Sequence, residues 1–247
     1  MFVIDDPAAI VFDDHIADLF LEIDKLPADQ RTALGHVLSD PNRPHGRIIA
    51  VNVSLETYDA VYAGNHCEYI EGIVIQMSPA EINHERIVYF LHRLLETYFV
   101  LRPVGRVIGQ PFIMRQSKFP RRRREPDLMV LLNEHLDRLK NTQVDEGADI
   151  CIEIVSDESS ERDYQDKFKE YEANGIAEYW VIDPLQAEAQ FHRLGEDGVY
   201  HLQTVGEAGY QTPLLPDLSV PLEWLWTPRP PNPIELVDVL RQMVGAS

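Results

Sequence analysis

The chain predicts an α/β sandwich: a mixed sheet flanked by helices, preceded by an N-terminal helical extension. Three observations carry that prediction. Residues 83–99 place His84, Ile87, Val88, Leu91, Leu94, Leu95 and Tyr98 on one face at helical spacing. Residues 148–155 alternate with period two, with Ile150, Ile152 and Ile154 on one side and Cys151, Glu153 and Val155 on the other. A helical segment over 160–174 and a second strand over 178–182 follow. Helix, strand, helix, strand is the order of a layered α/β domain.

From the N-terminus, residues 1–47 read as an extension, residues 48–226 as the main domain and residues 227–247 as a C-terminal tail. Within the extension, 17–26 and 27–38 carry helical spacing, and Pro27 suits the first turn of the second helix. Two prolines and a glycine in 40–46 cannot continue a helix and mark a linker. Ser54 is a good N-cap for a short helix running to Tyr62. Residues 69–77 read as a strand with a turn or bulge at Gly72. Two further strands are expected over 104–114 and 127–132, with the basic run 121–124 in the loop between them. Gly175 suits the C-terminal end of the helix over 160–174, and Asp183-Pro184 stops the strand over 178–182. A hairpin and a loop rich in glycine and proline should fill the remainder to Trp226.

At 247 residues the chain is one ordinary domain with appendages, and a hydrophobic content of 45% supports a sizeable core. No apolar run approaches the roughly 20 residues of a membrane span. The start, Met1-Phe2-Val3-Ile4-Asp5-Asp6, lacks a signal-peptide pattern. Cys67 and Cys151 form neither a disulfide framework nor a metal-ligand spacing, and Cys151 in its apolar strand reads as a buried thiol. A cytoplasmic, reduced protein is expected. A net charge of −19 argues against a protein that coats nucleic acid, since polyanions repel at long range. It leaves room for an enzyme that meets DNA in one local cleft, and clustered carboxylates are what a cation site requires.

The chemistry-bearing residues lie between Glu68 and Lys167. Asp127 follows Pro126, which cannot donate to a sheet ladder, so the aspartate begins a strand at a place where a cleft can open. The plain alternative is an acid that only starts a strand. Glu153 lies inside an apolar strand, where a carboxylate is costly unless paired or bound to a metal; a buried salt bridge is its alternative. Lys167 shares a helical stripe with Tyr164, Phe168 and Tyr171, so it either snorkels or points at something anionic, while Asp163 four residues earlier offers a local partner. Lys169 falls off that stripe and reads as solvated. His84, at the N-terminal end of the 83–99 helix, touches a phosphate or orients a water, or is a structural histidine. Glu68 and Glu71 flank Tyr69-Ile70, and strand alternation allows at most one of them to face the site. Arg121, Arg122, Arg123 and Arg124 are the only dense basic patch, suited to backbone phosphates or simply solvated.

From about residue 50 to Trp226 these pieces resemble, in order, the Uma-two family of restriction endonuclease-like proteins. They are Glu68-Tyr69-Ile70-Glu71-Gly72, Met77-Ser78-Pro79 and His84, followed by Pro126-Asp127 and Ile152-Glu153-Ile154-Val155-Ser156. Asp163, Lys167 and Tyr171 come next, and the stretch from Gly175 to Pro184 completes the series. The resemblance implies a restriction endonuclease-like core, the PD-(D/E)XK fold, with Asp127 and Glu153 as metal ligands. Val155 stands where that fold usually has a lysine, and the resemblance implies that Lys167 replaces it. The function expected is a Mg²⁺- or Mn²⁺-dependent endonuclease acting on DNA, with Lys167 orienting water or neutralising phosphate. Glu68 and His84 would complete the site, Arg121 to Arg124 would contact substrate, and a homodimer is expected. The rivals are a catalytically inactive interaction module that keeps the fold, and an RNA nuclease using the same residues.

Overall fold

The computed structural model describes residues 10–11, 28, 47–77, 81–156 and 159–245. The helices expected over 17–26 and 27–38 and the linker over 40–46 lie outside these residues, apart from Ala28, which is helical. Ser78-Pro79 of the family-like motif also falls outside them.

Among the described residues two large sheets organise the chain. The first has the order β1-β2-β4-β3-β7-β6-β9, built from Ile10–Val11, Arg47–Val51, Ile73–Gln76, Cys67–Ile70, Arg122–Arg124, Ile113–Arg115 and Gln143–Val144. The second has the order β13-β12-β11-β10-β8-β5, built from Tyr200–Leu202, Glu188–Leu194, Glu178–Asp183, Ile150–Ile154, Leu128–Leu132 and Gly105–Gly109. Its pairs are antiparallel except β10 with β11, which makes the sheet mixed. A parallel pair needs a crossover, and residues 159–174 supply it. Tyr210–Gln211 (β14) and Ser219–Val220 (β15) form a small ribbon.

Period-two alternation decides the two faces of the second sheet. Leu128, Val130, Ile150, Ile152, Ile154, Trp180 and Ile182 pack with helix α2 (Ile82–Leu101), whose Ile87, Phe90, Leu91, Leu94, Leu95 and Tyr98 are buried. On the opposite face Met129, Leu131, Cys151, Val155, Tyr179 and Val181 form a second cluster. A third cluster joins helix α1 (Leu55–Val61) to the first sheet through Tyr58, Tyr69 and Val74. Ser54 caps α1 as expected, accepting from Thr57 N at 3.1 Å.

Several sequence expectations are corrected here. The turn expected at Gly72 is present, and it makes residues 69–77 part of the hairpin β3–β4 rather than one strand. Glu71 (φ 51°) and Gly72 (φ 98°) form its two-residue turn, which requires positive φ at both positions. The segment 104–114 splits into β5 and β6, which belong to different sheets. The arginine run is not a loop: Arg122–Arg124 is strand β7, inside the first sheet between β3 and β6. The expected helix over 160–174 opens with a π-helical stretch, Arg162–Lys167, before the α-helix α3 (Phe168–Asn174), which Gly175 ends at φ 86°. The segment 227–245 is helical in part. Its helix α5 (Pro233–Val244) follows the short α4 (Glu223–Trp226) and buries Leu236, Leu240 and Val244 in the core shared with α2.

Candidate active site

Asp127 is the residue before β8. The β8–β10 ladder ends at Leu128 opposite Ile152, and one more step in that register sets Asp127 opposite Glu153. There the aspartate side chain takes over from the ladder: Asp127 Oδ2 accepts the Ile154 N–H at 2.7 Å. Gln110, at the end of β5, donates to Asp127 Oδ1 at 2.8 Å, and His84 Nε2 lies 3.2 Å from Oδ2. Burial alone would lower the His84 pKa, but the hydrogen bond and charge of Asp127 outweigh it and raise it.

Glu153 lies in the middle of the sheet on the Cys151–Val155 face and is 2% exposed. Tyr171 of α3 donates to its Oε1 at 3.0 Å, and Lys167 Nζ lies 2.8 Å from its Oε2. Burial pushes its carboxyl pKa up to about 8; Lys167 opposes this, while Asp163, Asp127 and Glu68 add to it. Lys167 is itself buried, and the charges of Asp163, Glu153 and Glu68 more than offset its desolvation, so it stays protonated. Lys167 does not snorkel but points at anions, and the local partner Asp163 is among them, its Oδ1 3.1 Å from Nζ.

Glu68 enters from the first sheet. The register Tyr69 opposite Arg123 sets Glu68 across from Arg124, whose Nη1 donates to Glu68 Oε2 at 2.8 Å. Lys167 is 3.6 Å from Glu68 Oε1 and Arg162 is 3.7 Å from Oε2. Burial would raise the Glu68 pKa, but Lys167, Arg124 and Arg162 bring it down to about 2. Glu71, in the hairpin turn, points away and pairs with the exposed Arg121 at 3.0 Å. Glu68 therefore stands behind the cavity lining, against Lys167 and Arg162, and the turn and not strand alternation excludes Glu71.

Asp127, Glu153, Lys167, His84, Asp163 and Arg162 line one partly open cavity of about 390 Å³, together with Asn65, His66 and Ser156. The arginine run behaves otherwise. Arg123 and Arg124 are each 1% exposed, Arg123 beside Asp59 and Arg124 between Glu68 and Glu170. Arg122 is half-buried on Glu170, which leaves Arg121 as the one exposed member. A run of like charge inside a sheet survives because alternate residues meet carboxylates on opposite faces.

Sequence reasoning missed Gln110, Arg162 and the Arg124–Glu170 pair. Gln110 carried a weak signal, standing at the strand break before Pro111; the Arg124–Glu170 contact depends on which strands pair and left no local trace.

Asp127, Glu153, Asp163 and Glu85 are the carboxylates that line this cavity, and the first two are the pair that the family resemblance implies for a divalent cation. Among the described residues no group of three or more His, Cys, Asp or Glu is arranged to hold a metal. Magnesium and manganese accept such a sparse set, because Mg²⁺ keeps several waters and binds through one or two carboxylates. Burial is the leading cause of the raised Glu153 pKa, and a cation bound there would oppose it. The donor set fits.

A crystal structure described as a putative nuclease belonging to DUF820, from Anabaena variabilis, is similar in fold. It has a TM-score of 0.57 and 17% identity, and the match covers 76% of this chain and 99% of that one. No curated protein matches the chain significantly. The family model Uma2, described as "Putative restriction endonuclease", matches residues 55–224, more than half of the chain. With its two-sheet core, the chain belongs to the Uma2 family.

Proposed function

We propose that this protein is a divalent-metal-dependent endonuclease that hydrolyses DNA phosphodiester bonds. The observation that carries the reading is the convergence of Asp127, Glu153 and Lys167 on one open cavity. Asp127 and Glu153 would hold Mg²⁺ or Mn²⁺, which when bound lowers the pKa of a water and offsets charge on the phosphate. The chain's own groups do the rest. Ile154 N–H, Gln110 and His84 fix the Asp127 carboxylate, and Tyr171 fixes Glu153. Lys167 carries a permanent positive charge into a desolvated site, where it orients the attacking water or stabilises charge growing on the phosphoryl oxygens. His84 Nδ1 has no hydrogen-bond partner among the described residues, so the ring retains a group to offer a phosphate oxygen or water. Glu68 holds Lys167 and Arg162 near the cavity.

Arg121 and Arg122 are the members of the arginine run with surface left for a phosphate backbone. Two buried free thiols, and no helix among the described residues long and apolar enough to cross a membrane, are compatible with a cytoplasmic setting.

The test is nicking of supercoiled plasmid, with single-stranded DNA and RNA in parallel, in Mg²⁺, Mn²⁺ or chelator. Wild type should nick DNA with either metal and lose activity in chelator. Lys167→Met and Glu153→Gln should reduce the rate at least about a hundredfold while melting as folded proteins. Lys169→Met, on the exposed side of α3, should cleave like wild type. Inert wild type on every substrate would favour the non-catalytic scaffold, and cleavage confined to RNA would move the substrate class.

A further inference from the structure

The buried ammonium of Lys167 lies among three carboxylates of the described residues: Glu153 at 2.8 Å, Asp163 at 3.1 Å and Glu68 at 3.6 Å. They are not equivalent. Glu68 is already engaged by Arg124 at 2.8 Å and approached by Arg162. Glu153 takes the shortest contact through Oε2, and its Oε1 accepts the Tyr171 hydroxyl. Asp163 Oδ1, near the ammonium, accepts no aligned hydrogen bond among the described residues. Asp163 is 1% exposed and lines the cavity.

This arrangement creates a conflict for any cation bound at Glu153. Both carboxylate oxygens are occupied, one of them by a positive charge at contact distance. A divalent ion and an ammonium on the same oxygen, both drawn to a buried carboxylate, repel strongly. The ammonium must therefore leave Glu153 when a cation arrives, and it needs another anion within reach. Asp163 is that anion. Its backbone is held on both sides, the N–H donating to Ser159 O at 2.8 Å and the C=O accepting the Tyr179 hydroxyl at 2.9 Å. Asp163 and Lys167 lie within the same π-helical stretch, so the acid stays fixed while the four-carbon lysine stem moves. π-Helical turns of this kind recur at functional sites.

We propose that Asp163 is a positioning residue that receives the Lys167 ammonium when Glu153 takes up its divalent cation, keeping the lysine in the cavity. The proposal rests on the nuclease reading above. It separates Asp163 from the metal ligands: the acid acts through Lys167, not on the cation.

The experiment is calorimetric titration of the full-length protein with Mn²⁺ in a double-mutant cycle. Asp163→Asn alone should weaken Mn²⁺ binding about tenfold, and in the Lys167→Met background the same change should cost less than about twofold. Equal losses in both backgrounds would make Asp163 a ligand and overturn the proposal, as would no loss in either. Wild type that binds no Mn²⁺ would sink the nuclease reading together with the proposal. Wild type that binds while Asp163→Asn binds equally well would sink the proposal alone. Because Asp163→Asn removes a buried charge, its fold is checked by melting. A second measurement needs no variant at that position: the ¹⁵Nζ resonance of the Lys167 ammonium, assigned by its loss in Lys167→Met, during Mg²⁺ titration of wild type. It should shift and saturate with occupancy; a resonance unmoved at saturation would overturn the proposal.

Discussion

Two buried glutamates on neighbouring strands show how differently one residue type can be used. Glu178, at the start of β11, accepts from Trp180 Nε1 at 2.9 Å, Arg193 Nε at 2.8 Å, Tyr210 at 2.9 Å and Thr212 Oγ1 at 2.6 Å. Its donors come from β11, β12 and the segment beginning at β14, so this carboxylate ties the sheet to the C-terminal segment. Glu153 has only Tyr171 and a lysine shared with two other acids, and its pKa rises accordingly. Full satisfaction reads as structure, and partial satisfaction leaves a group able to bind. Glu178→Gln keeps the volume but must turn an NH₂ toward at least one donor. It should cost about 2 kcal/mol in urea unfolding, with metal binding unchanged at temperatures where the variant is folded. An unfolding midpoint equal to wild type would contradict this account of Glu178.

At the scale of elements, α5 shows why the last residues belong to the domain. Asn232 accepts from Ile234 N and Glu235 N, and Glu235 returns a bond to Asn232 N at 2.8 Å, a complete capping box with Pro233 in the first turn. The helix then lays Leu236, Leu240 and Val244 against the core that includes α2. Arg86 of α2 secures the approach by donating to Leu225 O and Thr227 O. Truncation after Trp226 would expose the apolar stripe of α2. The shortened chain should therefore lose cooperative thermal unfolding and bind a hydrophobic dye such as ANS, with near-native far-ultraviolet dichroism. A truncated chain that melts as sharply as the full one would show that α5 is dispensable.

For the whole molecule, buried acids set a pH dependence. Glu153 and Glu125 each have folded pKa values raised from 4.5 to about 8, led in both by burial. Between those values the folded state holds more protons than the unfolded chain, so stability falls as pH rises through that window. Glu68 runs the other way. Its pKa is lowered to about 2 by Lys167, Arg124 and Arg162 against its burial, so its contribution is lost only as pH falls below about 4.5. Melting temperature should therefore decline from pH 6 to pH 8. A cation competes with the proton on Glu153, so the stabilisation by Mg²⁺ should be larger at pH 8 than at pH 6. A melting temperature that climbs steadily over this range without metal would rule out the protonated state of these carboxyls.

What could be read from the residues alone follows from the short range of periodicity. Alternation over 148–155 is enough to put Glu153 on the face of Cys151 and Val155, and an acid there announces a paired or metal-binding group. The apolar stripe of α2 and the cap at Ser54 are equally local, and the ordered motifs were enough to suggest the family. The helical-stripe argument found Lys167 and Tyr171, although the π-helical stretch before Phe168 breaks the 3.6-residue spacing on which it relied. Other features depended on pairing between distant segments. Four arginines in a row look like a solvated loop until β7 is placed between β3 and β6, where Glu68 and Glu170 neutralise Arg124. Asp127 meets Glu153 only through the antiparallel register of β8 and β10, and Gln110 reaches Asp127 only because β5 lies on the other side of β8. Local patterning specifies which groups are costly to bury; the registers between strands decide which opposite charges meet them there.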